Sequence, residues 1–200
     1  MVGIPTTRSF VHVPVTVSEA AQRFLAALPD PALKPKFPDP ADIEGWRKLQ
    51  QLAEADGKAK SKPLIERYPH TASRGELAGV PTIEVRPDGW TDDGRVVVYT
   101  HGGAHVMYSA ESSLGRAVIA AHATGLRVIS LDYTLAPHIK YDAMSDQVVA
   151  AFAALVASGQ SLEKTAIYGD SSGGGLAAAS VLKMRDRGIG MPAAAMLASP

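Results

Sequence analysis

Two hundred residues, 46% of them apolar and 20% charged, supply enough core for one domain, or for one domain with a small appendage. Twenty basic and twenty acidic side chains cancel to zero net charge, which argues against a nucleic-acid partner or an anionic membrane surface. The absence of cysteine excludes disulfides and thiolate metal sites and suits a reducing compartment, so a cytoplasmic chain is expected.

The first residues, MVGIPTTRSFVHVPV, lack the basic start and long apolar run of a signal peptide, and no apolar run elsewhere is long enough to span a bilayer. The segment VSEAAQRFLAAL places Ala21, Phe24, Leu25 and Leu28 on one helical stripe, with Ser18 as its N-cap. Five prolines between 29 and 40 then predict an extended connector. A second helix is expected from about Asp42 to Ala59, with Ile43, Trp46, Leu49 and Ala53 on one face. From Lys62 the rhythm changes. LIERYPH and PTIEVRP read as short strands, and RVVVYT, RVISLDY, TAIYG and AAAMLAS as four more. Helices ending at Gly125, Gly159 and Gly188 alternate with the last four. This alternation predicts an α/β domain with a mostly parallel sheet covered on both faces. The expected division is a helical segment over 1–62 and an α/β domain over 63–200.

Two glycine-rich turns carry the chemistry. Gly169-Asp170-Ser171-Ser172-Gly173 fits G-x-S-x-G between an apolar strand and an Ala-rich helix, where a nucleophile elbow would stand. Glycines there give room for a strained serine, and the helix N-terminus favours negative charge at the site. A phosphate loop is excluded, because the lysine it requires is missing: Gly175 and Leu176 follow Gly174. Upstream, the strand RVVVYT runs into His101-Gly102-Gly103-Ala104, a loop whose backbone amides can face an oxyanion. The order of strand, HGG loop and then elbow is that of lipases and esterases.

These segments resemble the hormone-sensitive-lipase branch of the α/β-hydrolase fold. HGGA is similar to that family's H-G-G-G loop, DYTLAP (132–137) to its D-Y-R-L-A-P, and GDSSGGGLA to its G-D-S-A-G-G elbow. The resemblance implies an α/β-hydrolase sheet, truncated after the sixth strand, with residues 1–62 as an N-terminal helical cap. It implies a serine carboxylic ester hydrolase acting through an acyl-enzyme on a small ester, with no cofactor and no metal. Carried over, Ser171 is the nucleophile, and Gly103, Ala104 and Ser172 give the oxyanion amides within a loop that includes Gly102. Gly169, Asp170 and Gly173 complete the elbow, and His101 is structural. Ala104 stands where the family has a third glycine, His105 where it has an aromatic residue, and Thr134 where it has arginine.

The base is missing. All six histidines, His12, His70, His101, His105, His122 and His138, precede Ser171, whereas the family's acid and histidine follow later strands. Asp186, the one acid after Ser171, sits among Lys183, Arg185 and Arg187. His105 and then His138 are the upstream candidates for a substitute base. Without one the chain is expected to be nearly inactive, since loss of the histidine from a serine triad costs on the order of 10⁶ in turnover. The alternative is a non-catalytic small-molecule-binding relative of the hydrolases. The uncharged AAAMLAS strand would be left as a sheet edge, open to aggregation or to pairing with a second copy.

Overall fold

The structure, a computed structural model, describes residues 13–28 and 37–200. The readings of the N-terminal start, of His12 and of most of the proline connector lie outside the described residues. The chain divides into two units, Met1–Asp39 and Pro40–Pro200. In the first, α1 (Glu19–Ala26) begins as predicted, with Ser18 Oγ accepting the Ala21 N–H at 3.3 Å.

In the second unit six strands form one sheet in the order β1-β2-β4-β3-β5-β6. They are β1 (His70–Leu77), β2 (Val80–Pro87), β3 (Val96–Thr100), β4 (Arg127–Leu131), β5 (Thr165–Asp170) and β6 (Ala194–Ala198). β1 and β2 are an antiparallel hairpin, β2 meets β4 antiparallel, and the remaining pairs are parallel. β3 is buried along its whole length, as its unbroken VVVYT pattern predicts for a strand covered on both sides.

Helix α3 (Leu114–Thr124) covers one face, packing Ala117, Val118 and Ala121 against Val85, Val97, Tyr99 and Val128. It ends where Gly125 takes φ 68° and its amide reaches Ala121 O at 2.9 Å. Helices α4 (Tyr141–Ala157) and α5 (Ser172–Asp186) cover the other face, burying Val148, Phe152, Leu176 and Met184 against Val96, Val98, Leu131 and Ile167. β3→β4 runs one way across the sheet with α3 on one face. β4→β5 and β5→β6 run the other way with their helices on the opposite face. This is the pattern that a single crossover hand produces.

The first strand departs from expectation. LIERYPH was expected to be extended, but α2 (Ile43–Arg67) continues through Pro63 to Arg67, across the expected 62/63 boundary, and β1 starts only at His70. Pro63 removes one helical N–H, a local signal to stop. Tertiary packing overrides it. Trp46, Gly57 and Ser61 are buried at helical spacing, and Ser61 Oγ donates to Ser112 O at 2.6 Å and accepts the Gly115 N–H at 3.2 Å. Gly57 and Gly115 let the two helices close: a Cβ on Gly115 would stand 3.0 Å from Ser61 Cα. Ile43, expected on the buried face, is exposed.

Candidate active site

β5 ends at Asp170, and the chain reverses into α5 through Ser171, which takes φ 50° and ψ −129°. For a residue with a Cβ this left-handed φ is strained, and strain of this kind persists only where the surroundings fix it. The flanking glycines provide the space. A Cβ on Gly169 would overlap the Gly173 carbonyl, and one on Gly173 would overlap the carbonyls of Thr100 and His101. The elbow is thus pressed directly against the end of β3. Ser171 itself is exposed, and among the described residues its hydroxyl makes no hydrogen bond.

Asp170 joins the elbow to the loop after β3. Its carboxylate is buried. Oδ1 accepts the Tyr99 hydroxyl at 2.5 Å and the Gly102 N–H at 3.2 Å, and Oδ2 pairs with Arg116 from α3. The Tyr99 phenol is held well above its ordinary pKa, by burial first and by the adjacent Asp170 charge next, so it remains a donor. Gly102 comes so close that a Cβ there would stand 3.2 Å from Ser171 Cβ. Its own amide faces Asp170, not the site. The amides of Gly103 and Ala104 make no hydrogen bond among the described residues, and Ser172 opens α5, where first-turn amides have no helical partner. Ser172 Oγ accepts the His105 N–H at 3.2 Å and fixes the far side of the loop to the elbow. Three amides therefore remain open beside Ser171: those of Gly103, Ala104 and Ser172. A cavity of about 480 Å³ opens at this point, lined by Ser171, Ala104, Tyr108 and Arg116, and by Gly57 and Lys60 of α2.

Ala104 and His105 both adopt left-handed backbone, at φ 54° and 61°. Ala104→Gly should therefore raise stability by about 1 kcal/mol, from the relieved Cβ strain, and raise the melting temperature by about 2–4 °C. An unchanged or lower melting temperature would mean that the methyl packs well enough to offset that strain.

The histidines are held apart from Ser171. His101 is fully buried and stacked on Tyr133, with Nδ1 donating to Gly102 O at 2.8 Å; the Tyr133 hydroxyl in turn donates to the His101 carbonyl. Burial lowers the pKa of His101, and it lowers that of the half-buried His105 as well. Both pKa values are depressed, so the unfolded chain binds more protons just below the ordinary value of about 6.5. Their contribution to stability is complete above that pH and declines as the pH falls towards the folded-state values. The urea midpoint should drop between pH 7.5 and 5.5, and His101→Gln should flatten that drop. His105 turns its ring edge-on to Tyr141 at 5.3 Å, and His138 Nε2 lies 3.2 Å from Gln50 Oε1. Among the described residues no histidine is hydrogen-bonded to Ser171.

Sequence reasoning missed Tyr99 and Arg116, the partners of Asp170, since a buried strand tyrosine and a helical arginine carry no local signal. Tyr133 and Asp132 could have been found, because they open DYTLAP: the Tyr133 hydroxyl holds the HGG loop, and Asp132 Oδ1 accepts the Ala110 N–H at 2.9 Å. Among the described residues no three His, Cys, Asp or Glu side chains are grouped to hold a metal ion, and no described helix is long and apolar enough to cross a membrane.

Residues 97–200, which contain both turns, match the family model described as alpha/beta hydrolase fold. The chain belongs to the α/β-hydrolase family. Its relatives are esterases and acetyl-hydrolases. LipR of Mycobacterium tuberculosis, which bears the name of an acetyl-hydrolase, is 39% identical over 158 residues, 79% of this chain and 49% of LipR. An acetyl-hydrolase of Streptomyces hygroscopicus is 35% identical over 108 residues, 54% of this chain and 36% of the relative. A crystal structure of an esterase from the bacterial hormone-sensitive lipase family superposes with a TM-score of 0.65 at 30% identity, covering 82% of this chain and 51% of the esterase. The chain thus spans about half, or less, of the length of the curated relatives it matches.

Proposed function

We propose that this chain carries the nucleophile and oxyanion half of a serine carboxylic ester hydrolase acting on small esters. The observation that carries the reading is the strained, exposed Ser171 standing against a loop whose Gly103 and Ala104 amides are open. Acyl transfer needs this juxtaposition: Ser171 Oγ attacks the ester carbonyl carbon, and its proton passes to a base. The carbonyl oxygen, now negative, is met by the amides of Gly103, Ala104 and Ser172 at the N-terminus of α5. Collapse expels the alcohol, which takes that proton, and leaves an acyl-enzyme. Water then adds to the acyl carbon and frees the acid and Ser171. Asp170 is a positioning residue. It accepts the Gly102 amide and so orients the next two outward.

The base and its acid are proposed to come from polypeptide beyond these 200 residues, because no histidine follows Ser171 and, among the described residues, none upstream is hydrogen-bonded to it. The assigned substrate class is an ester with a short acyl group, consistent with the acetyl-hydrolase names of the relatives and with the Ala104 methyl beside the cavity. The compartment we assign is the cytoplasm, which a chain without cysteine suits. The test joins this chain to the part of LipR that lies outside the match and follows p-nitrophenyl acetate. Turnover should appear in the joined protein and stay on the order of 10⁶-fold lower in the 200-residue chain. A joined protein that folds and binds short esters without cleaving them would instead support a non-catalytic binding relative.

A further inference from the structure

A second cavity, of about 470 Å³, lies on the α4 face of the sheet, between the β1–β2 hairpin and the C-terminal turn of α4; it shares no lining residue with the cavity beside Ser171. Residues paired across antiparallel strands share a face. Ser73, Glu84 and Ile129 therefore stand in one row, and Gly75, Thr82 and Leu131 in the next. Ile129 and Leu155 of α4 make an apolar floor. The wall is polar and already assembled. Glu84 Oε1 accepts Arg86 Nε–H at 2.6 Å, Glu84 Oε2 accepts Arg127 Nη1–H at 3.2 Å, and Arg127 Nη2 donates to Gln160 Oε1 at 2.9 Å. Gln160 is fixed in turn by donating to Gly94 O at 2.7 Å, and the Arg86 guanidinium is held over the Trp90 ring at 4.7 Å. Thr82 is only 6% exposed, yet its hydroxyl makes no hydrogen bond among the described residues. A buried polar group of this kind calls for a partner. Gly75 leaves it uncovered, since a Cβ there would stand 3.1 Å from Thr82 Oγ1.

We infer that this cavity binds a small hydroxy-carboxylate. The ionised side chains that face it are Arg86, Arg127 and Glu84, one positive charge in excess. Arg74 and Glu76 stand opposite Ile83 and Pro81, on the α3 face, where Arg74 pairs with Glu111. A carboxylate answers the excess charge. It has two donors to accept from: the Thr82 hydroxyl and Arg86 Nη1, which makes no hydrogen bond among the described residues. A dianion such as phosphate would meet Glu84 and the carbonyls at the C-terminal end of α4, the negative end of that helix. A neutral polyol would leave the positive charge unanswered. A hydroxyl on the acid turns the same acceptors to use, since it can donate to Glu84 or to a carbonyl of the α4 turn. An apolar floor, a few fixed polar groups and this volume are what small-molecule sites share. The site is independent of the ester chemistry proposed at Ser171.

The experiment titrates lactate into the isotope-labelled chain and follows the backbone amides by NMR, with propylene glycol, propionate and inorganic phosphate as comparison probes. Saturable shifts should centre on residues 73–77, 82–86 and 155–160 and leave Gly103, Ala104 and Ser172 unmoved. Lactate should bind about tenfold tighter than propylene glycol, the worth of one charge-assisted hydrogen bond, and tighter than propionate or phosphate. Thr82→Val should weaken lactate binding about fivefold, and Thr82→Ser should keep it. Arg86→Gln, at a half-exposed position, should weaken it about tenfold and carries the same test if the valine variant does not fold. Absence of saturable shifts up to about 50 mM lactate would overturn the inference. So would a glycol or phosphate that binds as tightly as lactate, shifts confined to the loop beside Ser171, or folded Thr82→Val and Arg86→Gln proteins that bind like the parent. Propionate binding equal to that of lactate would overturn the hydroxyl's part in it.

Discussion

Ser171→Ala, introduced into this chain joined to the part of LipR outside the match, is expected to lower kcat for a short p-nitrophenyl ester by about 10⁶-fold. That corresponds to about 8 kcal/mol of transition-state stabilisation. The magnitude follows from the division of labour at the elbow. Without Oγ no acyl-enzyme forms, and a base within reach can only activate water. The open amides of Gly103, Ala104 and Ser172 and the cavity beside Ser171 remain, so a residual catalysis on the order of 10³–10⁴ over water should survive. The neighbouring serine separates chemistry from scaffolding. Ser172→Ala keeps its backbone amide and loses only the hydroxyl that accepts the His105 N–H. It should cost about 1 kcal/mol of stability and far less turnover. Equal losses from both substitutions, or undiminished cleavage by the Ser171 variant, would move the nucleophile elsewhere.

Gly173→Ala should destabilise the native fold by about 3 kcal/mol or more. Its Cβ would overlap two carbonyl oxygens, Thr100 O and His101 O, both backbone atoms at the end of the fully buried β3. They cannot yield without breaking the parallel pairing of β3 with β5 or the turn that holds the HGG loop. Gly175, one half-turn farther along α5, is the control. Nothing lies within 4 Å of the position its Cβ would take, so Gly175→Ala should stabilise the helix by roughly 0.5–1 kcal/mol. Urea denaturation of the two variants beside the parent chain checks both signs. A Gly173→Ala protein as stable as the parent would show that α5 does not press on β3 as described.

Much of this was legible in the sequence where local pattern and tertiary role agree. Strand β3 was announced by its unbroken apolar run, β4 and β5 by the short apolar segments RVISLDY and TAIYG, and α3 by Gly125 at its end. The elbow and the HGG loop were legible because close backbone approach leaves only glycine at particular positions, here Gly169, Gly173 and Gly102. The hairpin was not. β1 reads HTASRGEL, an exposed and polar strand whose pairing is set by the Ala78-Gly79 turn and by β2, while the more apolar LIER beside it belongs to a helix held by Ser61 and Gly115. The roles of Tyr99 and Arg116 were hidden for a different reason: both act through Asp170, some 54 to 71 residues away in the chain, and spacing cannot report a partner at that distance. The Gly102 amide shows the same limit. The motif places Gly102 in the oxyanion loop, and only geometry reveals that its N–H is directed at a carboxylate.

The central claim is that the Ser171 oxygen faces the amides of the HGG loop. Prolonged incubation of the chain with a small fluorophosphonate, followed by peptide mass analysis and a crystal structure of the adduct, tests it most directly. The account predicts one phosphonyl group, on Ser171, with its oxygen about 2.7–3.1 Å from the amide nitrogens of Gly103, Ala104 and Ser172. An adduct on another side chain, or a phosphonyl oxygen turned away from all three amides, would contradict it.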